Sequence, residues 1–307
     1  MKKKVLVTGS NGLLGQKLTE LFRSKDDYIL IATSKGKNRF KDHIGYLYRS
    51  LDVTNRDEVY KAINEIEPDV VIHAAAMTNV DQCETDRDDC WQLNVRSVEY
   101  VTEACRKVNA HLIHISSDFV FDGKDGPYDE QAIPSPISFY GDSKLASERI
   151  LLKSNITWTI LRTILVYGFV ENMSRSNIVL WVKKSLEEGK NIRVVDDQYR
   201  TPTLVEDLAQ ACYLVTEKKA TGIFNISGCE MMTPYDLALK VADFFILDKK
   251  LISRIDSKTL NQPALRPPKT GFKIDKAQKM LGYKPHTFEE GLQLIKKQMK
   301  QKSEIMV

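Results

Sequence analysis

The segment Val5-Leu6-Val7-Thr8-Gly9-Ser10-Asn11-Gly12-Leu13-Leu14-Gly15 decides the fold of this chain. Its short apolar run predicts a buried strand, and glycines at every third position predict a turn into a helix. Gly9 suits the turn, Gly12 lets backbone approach a diphosphate, and Gly15 lets the helix pack closely on the strand. A helix N-terminus presents free N–H groups that can bind phosphates. The segment therefore predicts a dinucleotide-binding loop made of Gly9 and Asn11 to Gly15. A plain glycine turn without a ligand would show the same glycine pattern.

The residues that follow alternate short apolar runs with helical patterns. This alternation predicts an α/β fold, a Rossmann-type doubly wound parallel sheet. Dense Val, Ile and Leu indicate strands that helices cover on both faces. The predicted strands are Val5–Thr8, Tyr28–Thr33, Tyr46–Leu51, Val70–His73 and His111–Ser116, and the predicted helices include Leu13–Arg23, one around Val59–Ile66 and a long one from Trp91 to Val108.

After about Gly168 the pattern becomes less regular, and helical stretches alternate with proline-bearing loops. We therefore predict a dinucleotide-binding domain over residues 1–168 and a smaller mixed substrate-binding domain over 169–307. Strands at 157–167 and 222–226 are expected to return to the main sheet and complete it near 223–227. The apolar helix at 177–188, with Trp181, covers either the core or the surface of a homodimer.

Composition excludes several classes of protein. The 307 residues carry 45 Lys and Arg against 41 Asp and Glu, and this net charge of +4 predicts no nucleic-acid partner. No apolar run is long enough to span a membrane. Five cysteines form no C-x-x-C pair, which predicts reduced thiols in a cytoplasmic protein, with neither a disulfide framework nor a metal site.

The end of the second predicted strand indicates which dinucleotide binds. An NAD site usually carries an acid there, but this chain has Ser34 and Lys35, and the next acid is Asp42. Hydroxyl and cationic groups suit a 2′-phosphate. We therefore favour NADP(H) as the cofactor, with NAD(H) as the alternative; Lys35 could equally belong to a solvated basic loop.

Two further strand ends are candidates for the same cofactor. Asp52 and Val53 end the third predicted strand, where a contact to the adenine is expected, although Asp52 could instead cap the next helix. Ala74, Ala75 and Ala76 follow the fourth strand. Small residues there allow a nicotinamide ring to approach, or they serve tight packing alone.

A catalytic arrangement is suggested by Tyr140 and Lys144, whose spacing places both on one face of a helix. A neighbouring ammonium is expected to lower the pKa of the phenol, so that the tyrosine can transfer a proton while a hydride moves. Ser117, at the end of the fifth strand, adds a hydroxyl that can hold a carbonyl oxygen. A solvated helix face and a capping serine are the alternatives.

Together, the glycine loop, the strand-end serine and Tyr140-x-x-x-Lys144 resemble the extended short-chain dehydrogenase/reductase family. The resemblance implies a Ser–Tyr–Lys triad of Ser117, Tyr140 and Lys144 with a nicotinamide cofactor. It also implies a supporting role for Asn94, on the long helix. Tyr140 and Lys144 would then contact the cofactor as well.

Finer motifs resemble the dTDP-4-dehydrorhamnose reductase branch of that family. His73 to Glu84 is similar to its H-A-A-A-x-T-x-V-D-x-x-E segment, which places Ala74–Ala76 and Thr78 beside the cofactor, and Ser116 to Gly123 is similar to S-T-D-Y-V-F-D-G. Phe119 stands where dehydratases carry glutamate. Val195 to Tyr199 and Arg266-Pro267 also resemble motifs of the branch.

The chain departs from the pattern of the branch at two positions near the expected substrate. Leu165 stands where a tryptophan is common, and Arg200 stands where glycine is usual. Arg200 either pairs with a substrate diphosphate or is a surface arginine. The predicted substrate contacts are therefore Ser117, Asp118, Phe119, Leu165 and Arg200.

These observations predict an NADP(H)-dependent reductase of a 4-keto nucleotide sugar. One alternative is a non-catalytic binding module, because the family includes a regulatory subunit of methionine adenosyltransferase. Another is an NAD-dependent sugar-nucleotide epimerase, although the acid typical of NAD sites is absent. The nucleotide sugar is the expected partner, and self-association as a homodimer stays open.

Overall fold

The computed structural model of the chain describes residues 2–172 and 176–305, the last four by their backbone alone. The strands are β1 (Lys3–Thr8), β2 (Tyr28–Ser34), β3 (Leu47–Ser50), β4 (Val70–His73), β5 (His111–Ser117), β6 (Trp158–Thr163), β7 (Val166–Tyr167), β8 (Ile192–Val195), β9 (Thr203–Leu204), β10 (Gly222–Ile226) and β11 (Ile252–Ile255). The helices are α1 (Leu13–Arg23), α2 (Arg56–Ile66), α3 (Val80–Thr85), α4 (Arg87–Trp91), α5 (Ser97–Val108), α6 (Phe139–Leu152), α7 (Ile178–Glu187), α8 (Val205–Lys218), α9 (Pro234–Phe245), α10 (Asp275–Leu281) and α11 (Phe288–Ile305).

Seven parallel strands form the central sheet, in the order β10-β6-β5-β4-β1-β2-β3. The order reverses between β1 and β4, which makes this point the switch of a doubly wound sheet. The predicted α/β fold is therefore confirmed. Ligands of such sheets bind at the carboxyl ends of the strands beside the switch point.

Alternate residues of β1 face opposite helix layers, as the two-residue period of a strand requires. Val5 packs in one apolar cluster with Leu18 of α1 and Leu208 of α8. Leu6 packs in another with Val59 of α2 and with α5. All of these side chains are at most 1% exposed, so the sheet is covered on both faces.

A further apolar cluster joins α7, α9 and α11 to the two-stranded sheet of β8 and β11. The chain nevertheless returns to the main sheet: α8 packs against α1, and β10 pairs with β6. Among the described residues, no helix combines the length and apolarity needed to cross a bilayer. The division at residue 168 into two domains stays a prediction.

The strand predicted over 157–167 is wrong in its second half. β6 ends at Thr163, and Leu165 has a φ of +39°, in the left-handed region that a leucine rarely adopts. The chain thereby leaves the main sheet, and β7 pairs with β9 instead. Thr203 holds the turn, because its hydroxyl donates to the Ile164 carbonyl at 2.7 Å.

The long helix predicted from Trp91 to Val108 is also interrupted. A π-helical segment, Gln92–Arg96, lies between α4 and α5. Such a segment inserts an extra residue into one turn and often marks a functional site. It contains Asn94, which is buried.

A buried ion pair joins β6 to α6. Arg162 donates from Nε and Nη2 to the two carboxylate oxygens of Glu148 at 2.9 and 2.7 Å. The side chains of Arg162 and Glu148 are 2% and 0% exposed. Ser116 donates to the same carboxylate at 2.6 Å, so one side chain of α6 is tied to two neighbouring strands.

Removal of one member of this pair should destabilise the chain strongly. In Arg162→Met, Glu148 stays buried without its partner, and we expect the free energy of unfolding to fall by about 3–5 kcal/mol. The double variant Arg162→Met/Glu148→Gln should recover most of this loss. The measurement is urea unfolding followed by circular dichroism.

Arg96→Met is the matched control, because Arg96 pairs with Glu99 at 2.7 Å on the surface of the chain. Exposed pairs contribute about 0–1 kcal/mol. Equal losses in Arg162→Met and Arg96→Met would contradict the role assigned to the buried pair.

Candidate functional site

The loop between β1 and α1 lies directly against the loop that follows β4. Gly9 has a φ of +69°, and a Cβ built on it would stand 2.8 Å from the Ala75 nitrogen. A Cβ on Gly15 would stand 2.2 Å from the Gly9 carbonyl oxygen. The glycine spacing therefore serves two close approaches of backbone, one across the switch point and one between helix and strand.

The N-terminus of α1 fits the diphosphate of a dinucleotide. Its N-cap is Gly12, which has no side chain to bond the first N–H groups of the helix, those of Leu13 and Leu14 among them. The Ser10 hydroxyl beside it is buried and has no hydrogen-bond partner within the part of the chain that is described. Free N–H groups, a helix dipole and an unpartnered hydroxyl together suit an anion. Ser10 was not a predicted contact; its place inside the glycine motif was the available signal.

Asn11 organises the loop that follows β2. Its amide donates to the Lys37 carbonyl at 2.9 Å, and its side-chain oxygen accepts from the Arg39 N–H at 2.8 Å. The loop carrying Lys37 and Arg39 is thus held against the glycine loop. The predicted contact of Asn11 with the cofactor stays a prediction.

Lys35 and Asp52 meet at the carboxyl ends of β2 and β3. The Lys35 ammonium lies 2.7 Å from the Asp52 carboxylate, and Lys35 is otherwise well exposed. Asp52 does not cap α2, because Asn55 accepts the N–H groups at the start of that helix. Ser34 lies at the same edge and Val53 is buried behind it, so the predicted adenosine contacts are grouped.

Asn94 fastens the segment that follows Ala74–Ala76. Its side chain accepts from the Met77 N–H at 2.8 Å and donates to the Met77 carbonyl at 3.0 Å. It also donates to the Ser143 hydroxyl of α6 at 3.1 Å. The π-helical turn therefore connects the segment after β4 with α6, while Thr78 is exposed.

Local capping explains why α6 begins at Phe139. Ser138 is the N-cap, and its hydroxyl accepts the Gly141 N–H at 3.2 Å. Glu84, at the end of the segment similar to the branch motif, accepts the Phe139 N–H at 2.7 Å. Glu84 was not among the predicted site residues, although its motif was the signal that could have found it.

Lys144 is a buried lysine of α6. It is 2% exposed, and its ammonium donates to the Ile115 carbonyl of β5 at 2.7 Å. Burial lowers the pKa of Lys144 to about 8, although the negative charge of Glu148 opposes this shift. Its charge also disfavours protonation of the stacked histidines His73 and His114, whose pKa values burial already lowers.

The expected lowering of the Tyr140 pKa is wrong for this structure. Burial raises the pKa of the phenol, and Asp118 raises it further, while the nearby Ser117 hydroxyl lowers it. The desolvation of a buried phenolate outweighs the favourable contacts, and the Lys144 ammonium is engaged with Ile115. Tyr140 is therefore protonated near neutral pH, which is the state that a proton donor needs.

Ser116 and Ser117 point to different partners. Ser116 bonds to Glu148, as described above. The Ser117 hydroxyl donates to Asp118 at 3.1 Å, accepts the Phe119 N–H at 3.3 Å, and lies close enough to Tyr140 to affect its pKa. Ser117 is thus the serine that shares a site with the tyrosine.

Arg200 is enclosed by other parts of the chain. Arg200 is only 4% exposed, so it is not a surface arginine. Its guanidinium donates to the carbonyls of Tyr199 and Pro267 at 2.8 and 2.6 Å, and Nε lies 3.6 Å from Asp118. The predicted contact of Arg200 with a substrate diphosphate stays a prediction.

Phe119 and Leu165 have different places. Phe119 packs edge-on against Tyr140, with ring centroids 5.5 Å apart. Leu165 lies at the strained turn after β6 and is half-buried. Their predicted contacts with a substrate stay predictions.

The family described as "RmlD substrate binding domain" matches residues 2–301. A dTDP-4-dehydrorhamnose reductase of Aggregatibacter actinomycetemcomitans is 32% identical over 308 residues, covering 95% of this chain and 98% of that protein. The methionine adenosyltransferase 2 subunit beta of Rattus norvegicus is 33% identical over 250 residues, covering 80% and 73%.

Among solved structures, the chain is similar to a dTDP-4-dehydrorhamnose reductase from Bacillus anthracis in complex with NADP. The TM-score is 0.82 at 28% identity, and the match covers 96% of this chain and 99% of that one. The likeness therefore spans both the sheet and the region after residue 168.

The buried Lys144 should make stability depend on pH. The unfolded chain keeps the lysine proton up to about pH 10.4, whereas the folded chain loses it near pH 8. Between these values the unfolded state binds the additional lysine proton, so Lys144 should contribute a rise of about 3 kcal/mol to the free energy of unfolding over the full interval. The buried thiols of Cys105 and Cys212, whose pKa values burial raises, oppose this rise, so the contribution is measured as the difference from Lys144→Met. Lys144→Met should lack this rise, and urea unfolding at pH 7.5, 8.5 and 9.5 measures the difference.

The control is Lys61→Met, at an exposed position of α2, which should keep the slope of the unaltered chain. Parallel curves for Lys144→Met and the unaltered chain would show that burial of Lys144 has no such effect.

Proposed function

This chain belongs to the RmlD substrate binding domain family, and we propose on that basis that it is an NADP(H)-dependent reductase of a 4-keto nucleotide sugar. The observation that carries the proposal is the placement of Ser117 beside Tyr140, at the same sheet edge as the glycine loop. A proton donor and a carbonyl-orienting hydroxyl thus share the edge at which doubly wound sheets bind dinucleotides.

Three side chains divide the work. A nicotinamide, when bound at the glycine loop, would supply the hydride for the ketone carbon. Tyr140, kept protonated by burial, donates its proton to the developing alkoxide. Ser117 turns its hydroxyl hydrogen from Asp118 to the ketone oxygen and orients it. The Lys144 ammonium, one helical turn along α6 and charged below about pH 8, would turn from the Ile115 carbonyl to stabilise the negative charge left on the tyrosine.

NADP(H) is the proposed cofactor. The similar reductase from Bacillus anthracis is in complex with NADP. In this chain, Ser34 and Lys35 stand at the end of β2, where an acid typical of NAD sites is absent from the sequence. Lys35 reaches Asp52, and its ammonium is exposed enough to bind a 2′-phosphate as well. NAD(H) stays the alternative, and with it the epimerase hypothesis.

The proposed substrate is dTDP-4-dehydrorhamnose or a closely related keto-sugar. The reductase of Aggregatibacter actinomycetemcomitans supports this choice, because the match covers nearly all of both chains. Phe119, packed against Tyr140, stands where a dehydratase would place glutamate, so proton abstraction from the sugar lacks its acid-base residue. The proposal therefore favours reduction over dehydration.

A second candidate function is a binding role in a methionine adenosyltransferase. The similar rat protein is the beta subunit of such an enzyme, at 33% identity over 80% of this chain. The position of Ser117 beside Tyr140, with Lys144 one helical turn along α6, supports the reductase. Co-purification with a methionine adenosyltransferase, without oxidation of NADPH, would favour the subunit.

We further propose that the chain works in the cytoplasm. Its cysteines are not paired with one another in disulfides, and Cys83, Cys90, Cys105 and Cys212 are buried as thiols.

Self-association as a homodimer is a further proposal. Trp181 of α7 is 41% exposed, which supports a homodimer surface at that helix. Measurement of the molecular mass in solution tests whether the chain forms a dimer.

Oxidation of NADPH at 340 nm in the presence of dTDP-4-dehydrorhamnose tests the reductase. We expect turnover with NADPH, and a loss of about 10²–10⁴-fold in kcat for Tyr140→Phe, because the proton donor is removed. Binding of NADPH by Tyr140→Phe, measured by nucleotide fluorescence, should stay near that of the unaltered chain.

Tyr100→Phe is the control, since Tyr100 lies on α5, on a half-buried surface away from the triad. Failure of the unaltered chain to oxidise NADPH with any 4-keto nucleotide sugar would refute the reductase. Equal activities of Tyr140→Phe and Tyr100→Phe would refute the assigned role of Tyr140.

A further inference from the structure

Asp118 is a buried carboxylate immediately after the predicted catalytic serine. It is 2% exposed, and its Oδ1 accepts the Ser117 hydroxyl at 3.1 Å. Its Oδ2 accepts a short hydrogen bond from the Thr270 hydroxyl and lies 3.6 Å from Arg200 Nε. A buried charge of this kind is retained only where it is paired and hydrogen-bonded.

Arg200 lies against Asp118. It also contacts residues 266–270, a segment that we call the strap. Arg200 donates to the Pro267 carbonyl at 2.6 Å, and its own N–H donates to the Met232 carbonyl at 3.0 Å. Thr270, which also bonds Asp118, lies at the end of the strap.

The strap is anchored to the other side of the site as well. Arg266 forms a bidentate ion pair with Asp81 of α3, at 3.1 and 2.6 Å. Lys269 donates its N–H to the Gly123 carbonyl at 3.1 Å. The geometry therefore fixes Arg200 between a strap bonded to α3 and the segment that follows β5.

We propose that Arg200 is a positioning residue, which acts through Asp118 to hold the Ser117 hydroxyl beside Tyr140. This inference rests on the proposed reductase function and adds a residue to it. Arg200 touches neither the reacting atoms nor the cofactor in this arrangement. Its contribution is to keep Asp118 charged, because a charged carboxylate accepts the Ser117 hydrogen on Oδ1 and the Thr270 hydrogen on Oδ2 more strongly than a neutral carboxyl does, and so places the Ser117 hydroxyl before the ketone binds.

The charges around Asp118 support this role. Burial raises the pKa of Asp118, and Arg200 is the charged group that opposes this shift most. Arg266 adds positive charge next to Arg200, whereas Tyr140 faces Asp118 as a neutral phenol. Without Arg200, the pKa of Asp118 should rise further, and a neutral carboxyl accepts the Ser117 hydrogen more weakly than a charged carboxylate does.

The variants Arg200→Met and Arg200→Lys test the proposal in the NADPH oxidation assay. For Arg200→Met we expect kcat to fall about tenfold or more, with little change in the KM for NADPH, since only orientation at the reacting centre is lost. The acid limb of its kcat–pH profile should move to higher pH. Arg200→Lys keeps the charge and should recover most of kcat and the original limb.

Two further variants separate positioning from a loss of structure. Arg254→Met removes an exposed arginine that pairs with Asp196 at 3.0 Å, and it should leave kcat and the profile unchanged. Asp118→Asn should lower kcat as Arg200→Met does, and the double variant should be no worse than Asp118→Asn alone, because the two residues act in one chain of contacts.

Three results would overturn the proposal. The acid limb of the kcat–pH profile could stay in place in Arg200→Met, kcat could fail to recover in Arg200→Lys, or the losses of kcat could add in the double variant. Absence of turnover by the unaltered chain would instead refute the reductase function. The positioning claim is then decided by crystal structures: Ser117 should leave Asp118 in Arg200→Met, and an unchanged Ser117–Asp118 hydrogen bond would overturn it.

Discussion

The attachment of α6 to the carboxyl end of β5 is the constraint on which the rest of the site depends. Glu84 caps the helix at Phe139, the Lys144 ammonium bonds the carbonyl of Ile115, and the buried pair of Glu148 and Arg162 ties the helix to β6. These contacts join α6 to helix α3, to β5 and to β6. Tyr140 is thereby held beside Ser117 at the end of β5.

The same edge also receives the glycine loop, because the order of the strands reverses between β1 and β4. The close approach of Gly9 to Ala75 leaves no room for a side chain at the switch point. Backbone N–H groups and small residues therefore line the expected dinucleotide site, while the proton donor and the hydroxyl stand beside it. Chemistry and cofactor binding thus arise from one topological feature of the sheet.

Local signals in the sequence predict most of this arrangement. The helix Leu13–Arg23 and the strand Val70–His73 have their predicted bounds, because apolar periodicity and glycine turns act over short distances. The turn at Leu165, the π-helical segment around Asn94 and the burial of Arg200 depend on contacts between residues distant in sequence. The predicted direction of the Tyr140 pKa shift is wrong. The four-residue spacing indicates that an ammonium group is near the phenol, but it does not indicate that the phenol is buried.

The central claim is that hydride moves from the nicotinamide to the ketone carbon of a nucleotide sugar at this edge. The most direct measurement is mass spectrometry of the product formed from dTDP-4-dehydrorhamnose and NADPH deuterated at the nicotinamide C4. The account predicts a reduced sugar nucleotide with one deuterium, carried on the former ketone carbon. Reduced product without deuterium, or recovery of the keto-sugar unchanged, would contradict it.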